Sequence, residues 1–353
     1  MTRSVPAAEL GVPGTPLPKR RDWGIGLVGF GSIAGQHVEA YRAAGWRIAA
    51  VADPSAEARA RAAQLPDAPA LHERFETLVA DPSVEVIVLL TQPNLREPVI
   101  AAAAAAGKPV LTEKPLATSL ADAERLVALA EAGGIALAVS QNYRWMEGNF
   151  LAHHLIRQGW IGTPAFAGIE IMGTQDRDLA NHPFYGRCGD FLTVQWNSHL
   201  ADLLRYWIGI DPQRLSTSTR RVPGQGFVSD MLLASVVDFG GGRTGHILHN
   251  QMLRHGLASE RCRVDGDEGS IRFGLWGGQV ELSSRKLGPD PVIVDASALK
   301  LLPSQAGALG DLLIAVEEGR EPLVSARRNL ATIRHILADE RSAKADGRWE
   351  TLS

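Results

Sequence analysis

From Trp23 onward, short runs of apolar and β-branched residues take turns with longer stretches of helical periodicity. Residues 24–29 read as a strand and Ser32–Ala44 as a helix. "RIAAVAD" (47–53) reads as a second strand, stopped by Pro54. Ser55 can cap the helix over "AEARARAAQL" by accepting an otherwise unpaired backbone N–H. "VEVIVLL" (84–90) is a continuous apolar run, the pattern of a central strand covered on both faces. A helix over 97–106 ends at Gly107, and "KPVLTEKP" (108–115) follows as a strand. Ala117–Ala132 supplies another helix, closed by Gly133-Gly134, and "IALAVSQNY" (135–143) another strand. Alternation at this spacing predicts a parallel sheet with helices on both faces. The six alanines of 101–106 suit a helix packed closely on such a sheet.

The alternation is lost after about residue 150. "TPAFAGIEIMGT", "MLLASVVDFG", "RTGHILHNQML", "RCRVDG", "SIRFGLW" and "QVELSSR" read as strands joined by glycine-containing turns, an antiparallel sheet. Residues 1–22, with prolines at 6, 13, 16 and 18, are expected to be a flexible tail. The expected division is therefore this tail, an α/β domain over 23–143 and a second, mainly β domain over 144–353. A chain of 353 residues with 45% apolar content agrees with two domains.

Net charge is −3 with the signs interspersed, which argues against nucleic acid as a partner. No apolar run approaches a membrane span, so no membrane partner is expected. Lys19-Arg20-Arg21 resembles an export signal, but the apolar stretch after it is needed as the first strand and turn. Cys188 and Cys262 form neither a CxxC pair nor a disulfide framework; a cytoplasmic location and no metal site are expected.

Within "GLVGFGSIAGQH" (26–37), Gly29-Phe30-Gly31-Ser32-Ile33-Ala34 fits G-x-G-x-x-A between a predicted strand and a predicted helix. Backbone N–H groups of the first helical turn, with the helix dipole, favour a pyrophosphate there. Asp53 stands 22 residues after Gly31 at the end of the second strand, where an acid accepts hydrogen bonds from the adenosine ribose. A carboxylate repels a 2′-phosphate and no arginine follows at once, so NAD is favoured over NADP.

"GKPVLTEKPLA" (107–117), with Glu113-Lys114-Pro115 after a "TQPN" segment (91–94), resembles the Gfo/Idh/MocA family of sugar and inositol dehydrogenases. The resemblance extends through "SQNYRW" (140–145), "LIRQGWIG" (155–162), "VDGDEGSIRFG" (264–274), "DLLIAVEEGREPLVS" (311–325) and the ending "GRWETLS", the last two like the family's C-terminal helices. It implies an α/β fold: an N-terminal Rossmann doubly wound parallel sheet, then a C-terminal α+β domain with a large, mainly antiparallel open sheet. It also implies a homodimer or homotetramer through that sheet's outer face, a Lys114–Pro115 bond that is often cis, and cofactor contacts at Thr91, Pro93, Asn94, Glu113 and Lys114. Independently, ligands of open parallel sheets lie beyond the carboxyl ends of the strands, where Lys114 projects. An ammonium there can polarise a substrate hydroxyl and stabilise the alkoxide that forms as hydride leaves.

In "GDFLTVQWNSHLADLLRYWIG" (189–209), apolar residues at 200, 203, 204 and 207 form a helical stripe, and Gln195, His199 and Asp202 fall on another face. His199 and Asp202 match the family's HxxD, in which the histidine is the base. Position 195 departs from it: glutamine stands where the family has aspartate, which weakens His199 as a base and leaves Lys114 less well neutralised. The expected catalytic residues are Lys114, His199 and Gln195. Substrate contacts are expected from Asn142, Tyr143, Arg144, Trp145, Trp196, Asn197 and His199, with the insertion 174–187 as a pocket wall. Arg144, Arg177 or Arg254 could pair with an anionic group.

These residues imply an NAD-dependent oxidoreductase acting on a secondary hydroxyl of a sugar, polyol or sugar derivative. An alternative is a redox-neutral glycoside hydrolase that retains NAD through oxidation, elimination, hydration and re-reduction. A third reading is an NAD-bound binding or regulatory protein.

Overall fold

The computed structural model describes residues 3–174, 185–253 and 257–352. Two compact units emerge. One comprises Thr15–Trp145 and Leu301–Ile333; the other comprises Met1–Gly14, Met146–Lys300 and Arg334–Ser353. The chain thus re-enters the nucleotide unit after residue 300, which a single cut near residue 143 does not anticipate.

Residues expected to be loose begin the second unit. Arg3–Pro6 form a strand (β1), and Ala7–Leu10 a short 3-10 turn. β1 pairs in parallel with Val292–Asp295, and Val5, Ala7, Leu10 and Val12 are buried. Burial of these four apolar side chains, not the prolines around them, decides the outcome. Burying a Val or Leu side chain is worth about 1.5–3 kcal/mol. Deleting residues 1–12 is therefore expected to lower the melting temperature by about 5 °C or more. Calorimetry checks this, and an unchanged melting temperature would return the segment to a loose tail.

The nucleotide unit carries β2 (Ile25–Val28), α1 (Ala34–Ala43), β3 (Ile48–Ala52), α2 (Ala56–Ala62), β4 (Ala70–His72), α3 (Phe75–Ala80), β5 (Val86–Leu89), α4 (Arg96–Ala105), β6 (Val110–Thr112), α5 (Leu120–Ala132) and β7 (Leu137–Val139). Its six strands lie in the order β4-β3-β2-β5-β6-β7, and every pair is parallel. The order reverses between β2 and β5, the switch point where doubly wound sheets bind ligands. β2, β3 and β5 are buried throughout, as their unbroken apolar runs require. Ser55 caps α2, its hydroxyl accepting the Ala58 N–H at 3.3 Å. α5 starts at Leu120, three residues later than its apolar pattern predicts. The Ser119 hydroxyl accepts the Asp122 N–H at 3.1 Å and donates to the Asp122 carboxylate at 2.6 Å, which fixes the helix start. β4 and α3 escaped the sequence reading: Ala70 and Leu71 are exposed, so no buried pattern marks that edge strand.

In the second unit come α6 (Glu147–Arg157), β8 (Pro164–Met172), α7 (Asn197–Ile208), β9 (Arg214–Arg220), β10 (Leu232–Gly240), β11 (Arg243–Asn250), β12 (Ser259–Gly266), β13 (Gly269–Phe273), β14 (Val280–Ser284) and β15 (Val292–Asp295). α8 (Ser304–Glu318) belongs to the nucleotide unit, and α9 (Ala326–Lys344) begins there and ends in the second. The ending "GRWETLS", expected among helices, contains β16 (Glu350–Thr351), which pairs with β9. The sheet runs β1-β15-β14-β13-β12-β8-β11-β10-β9-β16, open at both ends. All pairs are antiparallel except β1 with β15 and β8 with β11. Among the described residues, no helix is long and apolar enough to cross a membrane.

Candidate active site

The expected cofactor residues gather at the carboxyl ends of β2, β3, β5 and β6. Gly29 has φ +94°, a conformation that only glycine adopts without strain, and its amide donates to the Ala52 carbonyl at 2.8 Å. Gly31 faces open space: a Cβ there would meet nothing within 4 Å. α1 has no side-chain cap; its Ala34 and Gln36 amides make turn bonds to the Gly31 and Ile33 carbonyls at 3.2 Å, and the positive end of the helix favours an anion there. The Thr91 hydroxyl, just beyond β5, is buried without a partner. An open cradle, an uncapped helix start and an orphaned hydroxyl fit a dinucleotide laid across the switch point.

Asp53 is engaged by backbone amides on both carboxylate oxygens. One carboxylate oxygen accepts the Phe30 N–H at 2.7 Å and the other the Ser55 N–H at 2.8 Å. Arg61 donates to the Phe30 carbonyl at 3.0 Å, so the Phe30 backbone is held on both sides. Each carboxylate oxygen keeps a second lone pair for a hydroxyl.

Lys114 is half-buried after β6, and its bond to Pro115 is cis. Burial lowers its pKa, the Arg96 guanidinium lowers it further, and Glu113 opposes both. Glu113 accepts the Lys114 backbone N–H at 3.2 Å and meets His37 Nε2 at 2.9 Å. With Nε2 donating to Glu113, His37 Nδ1 accepts the Tyr41 hydroxyl at 2.8 Å. Tyr41 and His37 are buried, and Tyr41's pKa is raised by burial and by the Glu113 charge. A three-membered polar chain thus runs from α1 to the lysine turn. Sequence reasoning missed it, although Ala34, His37, Val38 and Tyr41 share one buried face at helical spacing.

The candidates after β7 divide. Asn142 is buried and donates to the Ser304 hydroxyl at 3.0 Å, and Arg144 donates to the Leu323 carbonyl at 3.1 Å. Trp145, expected to touch substrate, is buried and packs against α8: a Cβ on Gly307 would lie 2.2 Å from its ring. Tyr143 is half-buried. Pro93 is half-buried and Asn94 exposed, in a 3-10 turn that leads into α4.

In the second unit, His199 and Asp202 are buried on α7. Gln195 does not share their regular helix. Phe191–Trp196 form a wide turn in which the Gln195 N–H reaches the Asp190 carbonyl at 3.3 Å. The change of pitch at 196–197 breaks the one-turn spacing between Gln195 and His199, and wide turns of this kind occur often at functional sites. Trp196 makes edge contacts with His249 (4.6 Å between rings) and Phe191 (5.8 Å). Asn197, expected to touch substrate, is fully buried and donates to Asp339 at 2.5 Å. Asp202 lies 3.7 Å from the Arg205 guanidinium. Arg177, Arg254 and most of the insertion 174–187 lie outside the described residues.

Residues 23–141 match the GFO_IDH_MocA oxidoreductase family, NAD-binding Rossmann fold, and residues 151–272 match the GFO/IDH/MocA C-terminal domain. The chain is 26% identical over 344 residues to D-apiose dehydrogenase of Paraburkholderia graminis, which spans 92% of this chain and 88% of that protein. Inositol 2-dehydrogenase of Gluconacetobacter diazotrophicus is 36% identical over 144 residues, 39% of this chain and 42% of that one. An Agrobacterium radiobacter oxidoreductase solved with NAD+, L-tartaric acid and magnesium shares the fold, with a TM-score of 0.83 and 22% identity over 94% of this chain and 98% of that one. Taken with the glycine turn and the Lys114 segment, these matches show that the chain belongs to the Gfo/Idh/MocA family and is an NAD-dependent oxidoreductase.

Proposed function

We propose that the protein oxidises a secondary hydroxyl of a sugar, polyol or sugar derivative. The observation that carries this reading is Lys114. It is a half-buried amine beyond β6 whose proton is held less tightly than that of a surface lysine, beside a turn fit for a dinucleotide. The names of the relatives, dehydrogenases of D-apiose and inositol, support the substrate class.

Gly29–Ala34 would hold the pyrophosphate, Asp53 the adenosine ribose, and Thr91, Pro93, Asn94 and Glu113 the nicotinamide half. NAD, when bound, accepts the hydride from the carbinol carbon. Lys114 donates a hydrogen bond to the hydroxyl oxygen and stabilises the negative charge that develops there. His199 takes the hydroxyl proton as general base. Gln195 orients the substrate as a neutral hydrogen-bonding group, and Tyr143, Arg144 and Trp196 are the remaining candidates for contact with it.

The test is incubation with NAD and a panel of pentoses, hexoses, inositols and their acid derivatives, with aryl glycosides in parallel. NADH formed in step with substrate consumed is the expected result. Aglycone released with no build-up of NADH would overturn net oxidation.

A further inference from the structure

α4 begins with a residue that its position does not favour. Arg96 is 1% exposed and shares the buried stripe of α4 with Val99, Ile100 and Ala103. Among the described ion pairs none includes it; its bonds go to backbone carbonyls. Nε and Nη2 reach the Thr91 carbonyl at 3.3 and 3.1 Å, while Nη1 reaches the Leu116 carbonyl at 3.1 Å and the Pro115 carbonyl. Thr91 lies just beyond β5, and Pro115 and Leu116 directly follow Lys114. One planar fork therefore ties the turn after β5 to the chain just past the lysine.

Burying a guanidinium is costly, and an apolar side chain of similar length would fill the same space without that cost. What the arginine adds is the bridge. On the other flank of Lys114, Glu113 accepts the Lys114 N–H and is itself anchored to α1 through His37.

We propose that Arg96 is a positioning residue for Lys114, holding the carbonyls that follow the lysine against the turn after β5. The inference rests on the reading of Lys114 as the group that polarises the hydroxyl. Clamped on both flanks, the ammonium keeps one position through turnover. Arg96 also acts by charge: with burial it lowers the proton affinity of Lys114, against the opposing pull of Glu113, whose own partner is His37.

Arg96→Met, Arg96→Lys and Lys114→Met are compared in the full chain with a sugar that reduces NAD. The measurements are kcat, KM, NAD affinity by fluorescence, thermal melting, and the pH profile of kcat. In Arg96→Met, kcat is expected to fall about 10- to 100-fold, as for a misplaced catalytic group. KM and NAD affinity should stay within about threefold. The high-pH limb of kcat should move to higher pH, because one cation beside Lys114 is gone. Arg96→Lys should keep that limb in place yet lose about tenfold in kcat, since one ammonium cannot span both sets of carbonyls.

A folded Arg96→Met or Arg96→Lys enzyme with wild-type kcat would overturn the inference. So would a loss confined to NAD affinity, which would make Arg96 part of the cofactor site. Undiminished kcat in Lys114→Met would instead overturn the reading of Lys114 itself.

Discussion

Lys114→Met is expected to lower kcat by about a thousandfold while NAD binding stays within about threefold. Methionine fills the volume of the lysine stem, so the turn after β6 keeps its packing and only the ammonium is lost. A preorganised donor at a developing oxyanion is worth about two to three orders of magnitude in rate. Burial and the Arg96 charge lower the proton affinity of Lys114, which makes its ammonium a stronger hydrogen-bond donor. Single-turnover kinetics with saturating NAD, beside a fluorescence titration of NAD, separate chemistry from binding. Equal losses in NAD affinity and turnover would mean that Lys114 holds the cofactor and takes no part in the chemistry.

The second large effect is expected behind α7. Asp339 is fully buried, and Thr217 and Ser235 donate to one oxygen and Asn197 to the other. The Thr217 and Ser235 hydroxyls also lie 2.7 Å apart, so Asp339→Ala would leave two buried donors without an acceptor, Asn197 and one of the hydroxyls. Each is worth about 1–3 kcal/mol, against a total stability of about 5–15 kcal/mol. Loss of several kcal/mol is expected, and a melting temperature within a degree of wild type would exclude this role.

Burial raises the Asp339 pKa to about 7, and the three hydrogen bonds pull the other way. The folded protein therefore holds this proton over a range in which the unfolded chain has released it. Stability from this group is full below pH 4 and falls as pH rises toward 7, by at most about 1.4 kcal/mol per pH unit. His335 Nε2 lies 3.4 Å from the same carboxylate, and burial lowers its pKa to about 3. It stays neutral when folded while the unfolded imidazole takes a proton below about pH 6.5, so His335 contributes the opposite slope below that pH. The Asp339 contribution is therefore read as a difference between wild type and variant. Denaturant unfolding of the wild type and Asp339→Asn between pH 5 and 8 checks this: the stability of the wild type relative to the variant should fall as pH rises toward 7.

Much of the nucleotide unit was legible because its signals are local. An unbroken apolar run such as "VEVIVLL" reports a strand buried on both faces, and Ser55 sits where a helix needs a cap. β9 was harder to see because its buried positions include Thr217, which turns inward to meet Asp339. A polar residue on a core face carries no strand signal until its partner, 122 positions away, is known. Trp145 and Asn197 read as substrate contacts for the same reason. Nothing local shows that Gly307 receives one ring or that Asp339 receives the other amide.

By itself the amino-acid sequence determined the alternating strands and helices, the glycine turn, the acid after β3, and the family to which the Lys114 segment belongs. Each is written in residues close together along the chain, where periodicity and backbone preference act. Tertiary structure alone decided which polar groups meet: Asp53 with the Phe30 amide, His37 with Glu113, Arg96 with the carbonyls after β5 and after β6. It also decided that the first twelve residues add a strand to the large sheet and that Gln195 leaves the helix of His199. Such pairings depend on strand order and register, and a buried polar group declares its partner only once both have lost their water.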